Sequence, residues 1–180
     1  MSTLFVDTIN EKTTNNGVEI PGHVINVQSV KFSGTQTTTS SSFTDVTDLS
    51  ITMTPKSSSS KFFVSCSMAV GCDNYFVYLR LVRNGVALLT PDDTGSNRST
   101  SHFQYMSDVV GSSAYILLHL PAQHLDSPNT TSAVTYKVQF AIRSDTSMSG
   151  YINRTHRNLD NAGGYDANGV STLTVMEIGG

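Results

Sequence analysis

The chain has 180 residues, a net charge of −3 and only 14% charged residues, well under the roughly 25% of an ordinary soluble domain. With no basic stripe, that balance argues against nucleic acid as a partner, and no apolar run approaches the ~18 residues of a membrane span. Ser, Thr, Asn and Gly fill the place of the missing charges, a mix suited to short strands joined by polar turns.

Met1 to Asp7 lacks the basic and apolar regions of a signal peptide, which points to folding in a cytosol. Residues 1–22 read as a separate small unit. Leu4, Val6 and Ile9 give an apolar rhythm, Asn15-Asn16-Gly17 a turn, and Val18-Glu19-Ile20 a second short strand before Pro21-Gly22. Two short strands cannot bury a core alone, so this unit is expected to be a β stalk or attachment segment. Residues 23–180 form the main domain. His23 to Phe32 is its first long strand, followed by a polar loop to Ser42, two strand pieces from Phe43 to Thr54, and a second polar loop at Ser57 to Ser60. Lys61 to Val70 alternates cleanly, with Phe62, Val64, Cys66, Met68 and Val70 inward.

Asn74 to Leu89 then reads as a hairpin on the turn Asn84-Gly85, which supplies the positive φ angles of a two-residue connection. Its first arm is apolar on both faces. Tyr75, Val77, Leu79 and Leu81 lie on one, and Phe76, Tyr78 and Val82 on the other, interrupted only by Arg80. An antiparallel sheet with a wet face would alternate instead, so both faces are expected to be covered, one of them by another subunit. Strands are also expected at Ser101 to Val110, Ala114 to Leu120, Val134 to Arg143, Tyr151 to Asn153 and Ser171 to Ile178. Loops are expected at Thr90 to Thr100, Pro121 to Thr131 and Arg154 to Gly169. Some ten short strands without helical periodicity define an all-β fold, an antiparallel β-sandwich or jelly roll.

Val6-Asp7-Thr8-Ile9-Asn10-Glu11-Lys12-Thr13-Thr14-Asn15-Asn16-Gly17-Val18-Glu19-Ile20 resembles a segment of tail-fibre and virion-appendage proteins of marine, short-tailed bacteriophages. Leu79 to Gly85, Tyr151 to Arg154 and Ser171 to Ile178 extend the resemblance to phage virion proteins over nearly the whole chain. The order of strand lengths resembles the trimeric jelly roll of tumour necrosis factor and the complement globular head. That resemblance implies a homotrimer whose first, last and central strands share an inner sheet about a threefold axis. The doubly apolar arm is expected in that sheet, with Phe76, Tyr78 and Arg80 at the subunit interface. The resemblance to phage virion proteins implies localisation to a virion assembled in host cytoplasm, with residues 1–22 docking on other virion proteins.

No nucleophile elbow is present and Asp92-Asp93-Thr94-Gly95-Ser96 lacks the spacing of a calcium loop, so neither catalysis, nor a metal, nor a cofactor is expected. His119 and His124 are poorly spaced for one metal ion, although copies of a histidine could meet on a threefold axis. Cys66 and Cys72 are too few for a disulfide framework. The richest polar constellation is Tyr151, Asn153, Arg154, His156, Arg157, Asp160, Tyr165 and Asp166. Tyrosine offers a flat face to a sugar ring, and Asn, Asp and Arg offer directional hydrogen bonds to hydroxyls. The same arginines could instead pair with Asp160 and Asp166 to brace a long loop. The expectation is a virion protein that binds host-surface glycan as a tail-fibre or spike tip, or one with a purely structural role in head decoration or tail adaptation.

Overall fold

A computed structural model describes residues 6–8, 10, 21–72, 76–92, 100–106, 115–143 and 148–180. Among them the chain forms β1 (Val24–Phe32), β2 (Gln36–Thr38), β3 (Thr44–Met53), β4 (Lys61–Cys72), β5 (Phe76–Arg83), β6 (Val86–Ala87), β7 (Phe103–Met106), β8 (Leu118–Asp126), β9 (Val134–Ile142), β10 (Gly150–Ile152) and β11 (Ser171–Ile178). One antiparallel sheet has the order β1-β11-β4-β10-β2, with β8 on the far side of β4; the other has the order β3-β9-β5-β6, with β7 also on β5. The two pack as a β-sandwich of jelly-roll type. Of the expected N-terminal strands only residues 6–8 and 10 are described, so that unit lies outside the described residues.

The period-2 patterns explain the layers. Phe62, Val64, Cys66, Met68 and Val70 of β4 point into the core, and Val134, Tyr136, Val138 and Phe140 of β9 meet them from the other sheet. The rings of Phe62 and Tyr136 lie 5.7 Å apart at the centre. Asn84 and Gly85 take φ of 50° and 83°, the pair of positive angles a type I′ turn demands. Asn84 also exchanges two bonds with β9: its backbone N–H donates to the Thr135 carbonyl, and its side-chain oxygen accepts the Thr135 N–H.

Polar groups join the sheets where apolar packing ends. Asp126 on β8 is buried, and it accepts hydrogen bonds from Arg83 Nη1 of β5 and, at 2.7 Å, from the Tyr136 hydroxyl of β9. At the β5 edge, β6 and β7 leave a gap between them that the His102 side chain fills. The Leu79 carbonyl accepts the His102 N–H, and His102 Nδ1 accepts the Leu81 N–H at 2.9 Å. The imidazole thereby completes the ladder.

Three expectations are corrected. First, β5 does not lie with the first and last strands: β1, β11 and β4 share one sheet and β5 belongs to the other. Its second face is covered inside the chain, where Val82 is fully buried and Tyr78 is 9% exposed. Burial within the chain thus accounts for Val82 and Tyr78, and of the subunit contact expected at Phe76, Tyr78 and Arg80 it leaves Phe76 and Arg80 half-buried on the outer face. Second, Pro121 lies inside β8 rather than opening a loop. Among the described residues β8 pairs only with β4, and an edge strand accepts a proline whose missing N–H would have faced outward. Third, the strand expected over Lys61 to Val70 runs on through Gly71 to Cys72. A Cβ at Gly71 would collide with the Arg154 carbonyl, so glycine here permits a close backbone approach.

The cysteines sit six residues apart on one strand, roughly 20 Å at ~3.3 Å per residue, beyond the reach of a disulfide. Both are buried thiols, and burial pushes Cys66 up to about 12.

The outer face of the first sheet carries a band of apolar side chains. Val27 pairs with Met176, Met176 with Phe63, and Phe63 with Leu125, so one rung crosses four strands; Val24 and Ile178 form part of the next. Val27 is 53% and Leu125 49% exposed. The rungs on the other side are Ser29–Thr174–Ser65–Gln123 and Lys31–Thr172–Ser67–Pro121.

Candidate functional site

The loop from Asn153 to Val170 leaves β10 and returns to β11, closed near its base by a bridge between Arg154 and Asn168. Asn153 anchors it. It is fully buried with φ 64°, and its Nδ2 donates to the Phe32 and Gly34 carbonyls at 2.7 and 2.8 Å. Its Oδ1 accepts the Ser171 hydroxyl at 2.7 Å. Every polar atom of this side chain is spent on the fold, which corrects its expected place in a ligand site.

Tyr151 and Arg154 brace the loop in the same way. Tyr151 is buried, its hydroxyl is 2.9 Å from His156 Nδ1, and the Arg154 guanidinium covers its ring at 3.9 Å. Arg154 also donates to the Thr155 and His156 carbonyls and to the Thr37 hydroxyl. Arg157 pairs with the largely buried carboxylate of Asp166 at 3.2 Å, and Asp166 accepts the Thr155 hydroxyl at 2.7 Å. The bracing reading thus holds for Arg157 with Asp166, while Arg154 braces through an aromatic ring and carbonyls rather than through Asp160.

A partly different set lines an outward-facing cleft, with the braced, largely buried Asp166 carboxylate at its wall. Asn158, Leu159, Asp160, Asp166, Ala167 and Asn168 line a cleft of about 430 Å³ with mostly polar walls. Tyr165 stands beside it, 68% exposed. Its ring meets Tyr115 edge to face with centres 5.9 Å apart, and Arg157 stacks on the other partner of that pair, 4.5 Å from the Tyr115 centre. Arg157 Nη1 also donates to the Tyr115 hydroxyl. Asp160, Tyr165 and Asp166 are therefore brought together, whereas Tyr151 and Asn153 lie beneath them. Tyr115 was missed by sequence reasoning. It is some forty residues from the loop, and only the fold brings it there.

The expected interface residues sit elsewhere, on the outer face of the second sheet. The rings of Phe76 and Tyr78 are parallel with centres 6.2 Å apart, and Arg80 lies over Phe43 at 4.0 Å. His119 and His124 point to opposite faces of β8, as an odd spacing on a strand requires; His119 is exposed near the Ser67 hydroxyl. Scans against protein-family models and curated proteins find no match to the chain.

Proposed function

We propose that this protein is a homotrimeric virion appendage of a bacteriophage, a tail-fibre or spike tip that binds host-surface glycan through the Asn153 to Val170 loop. The observation that carries the binding reading is the exposed Tyr165–Tyr115 edge beside a cleft walled by amides and carboxylates. Sugars are held by stacking their apolar ring face on an aromatic side chain while directional acceptors and donors take the hydroxyls. Beneath, Asn153, Tyr151 and Arg154 hold the loop in one conformation, so little ordering cost falls on binding. The apolar band from Val27 to Leu125 supports self-association through the first sheet, because a contiguous exposed apolar patch is costly to leave in water. The virion assignment rests on the resemblance of Val6 to Ile20 and of the strand pattern.

Screening the protein on a glycan array, with Tyr165→Ala alongside, tests the reading. The expected result is recognition of a defined glycan set that Tyr165→Ala loses, with folding stability changed by no more than about 0.5 kcal/mol, as for an exposed side chain. No glycan recognised by an intact, correctly folded protein would overturn it. A structural role in head decoration or tail adaptation is the second reading, favoured by how much of the loop's polar chemistry is spent internally.

A further inference from the structure

Arg80 projects from β5 on the outer face of the second sheet, half-buried, at a distance in sequence from the loop described above. The Phe43 ring lies 4.0 Å from its guanidinium carbon, and its Nε donates to Gln139 Oε1 at 2.9 Å. Gln139 Nε2 in turn donates to Asp45 Oδ1 at 2.7 Å, and Asp45 Oδ2 takes Lys137 Nζ at 2.7 Å. The nearby carboxylate is thus engaged by Lys137 and Gln139, whose hydrogen bonds hold its pKa below the ordinary value. Arg80 receives a neutral amide oxygen and, among the described residues, no carboxylate. On the same face the Phe76 and Tyr78 rings lie parallel, and Arg143 sits 5.9 Å over Phe76.

A partly desolvated cation that lacks a counter-charge is costly, and an anion delivered to it recovers that cost. Stacking on Phe43 and the Nε bond fix the plane of the fork, so its Nη edge is presented in advance for two parallel hydrogen bonds to a carboxylate or phosphate. We propose that Arg80, stacked on Phe43 and held by Gln139, is the anion-recognising group of a second surface site. It takes a sugar that carries a carboxylate or a phosphate, with the half-buried Phe76 ring as its apolar flank.

The test follows the Arg80 Nε–Hε signal of 15N-labelled protein during titration with D-glucuronic acid, glucose 6-phosphate and glucose. The expected result is a saturable shift at millimolar concentration with one or both acids and none with glucose. A response to glucuronic acid alone assigns a carboxylated sugar, and a response to the phosphate ester alone assigns a phosphorylated one. Arg80→Lys keeps the charge but not the fork, and is expected to weaken binding at least ~5-fold; Arg80→Gln abolishes it. Tyr165→Ala leaves this titration unchanged, which separates the site from the loop. If Arg80→Gln fails to fold, the wild-type titration decides alone. Silence of the Arg80 signal with both acids, or an equal response to glucose, overturns the proposal. Silence together with a changed oligomeric state in Arg80→Gln overturns it in favour of a carboxylate from a second copy of the chain.

Discussion

Asn153 shows how one residue can hold a loop. Its positive φ is tolerated by asparagine better than by most residues, and its amide ties the end of β1 to the start of β11. Asn153→Ala would strand two carbonyls and a hydroxyl in the interior, at a cost of about 3 kcal/mol, read as a lower urea midpoint. His102 gives a pH dependence. Burial is the main cause of its pKa being pushed down to about 4, and its Nδ1 lone pair is committed to the Leu81 N–H. A folded pKa below the unfolded value means that the neutral form is favoured by folding. That stability is fully present above about pH 6.5 and is lost as pH falls through about 4. His102→Gln keeps an acceptor that does not titrate, so its melting temperature is expected to fall less than wild type between pH 7 and pH 4. An equal fall in both would show that His102 is not the group responsible. At this scale the sequence revealed little: Asn153 looks like any polar loop residue until Phe32 and Ser171 are placed beside it.

At the scale of elements the sequence was more legible. Clean alternation marks β4 and β9, and Asn84-Gly85 marks the hairpin, because side-chain period and turn angles are local properties. The failures have a common cause. The proline in β8 and the sheet to which β5 belongs depend on which strand lies alongside, and local pattern is silent on that. The N-terminal unit was read from the boundary at Pro21-Gly22, where the Gly22 N–H donates to the Gly179 carbonyl and the Gly179 N–H to the His23 carbonyl. Deleting residues 1–20 keeps both bonds. The truncated chain is expected to stay folded, with a melting temperature within a few degrees of the full chain; loss of cooperative unfolding would place that segment in the main core.

For the whole molecule, the two outer faces have different characters. The second sheet presents cations on aromatic rings, and the first presents the neutral band that includes Val27, Met176, Phe63 and Leu125. Self-association through the first face is expected to be specific to that band. Leu125→Glu, on an exposed position, should convert a sedimenting trimer to monomer while changing monomer stability by under about 0.5 kcal/mol. A wild-type protein that sediments as a monomer at micromolar concentration would remove the trimer from the proposed function. Alternation showed which residues are buried in the core; the band was not visible as such, since its members come from four strands and become neighbours only through register.

The chain enters β1 beside Gly179, and β1 ends at Phe32, held by Asn153 at the root of the loop. Entry point and loop therefore lie at opposite ends of a nine-residue strand, roughly 30 Å apart at ~3.4 Å per residue. Tension applied between them runs along the strands, across hydrogen bonds that stand perpendicular to it. The β1–β11 ladder would then be sheared with all its rungs loaded together, instead of being peeled one rung at a time. A domain tethered at one end and gripped at the other is thereby loaded in its mechanically stronger direction.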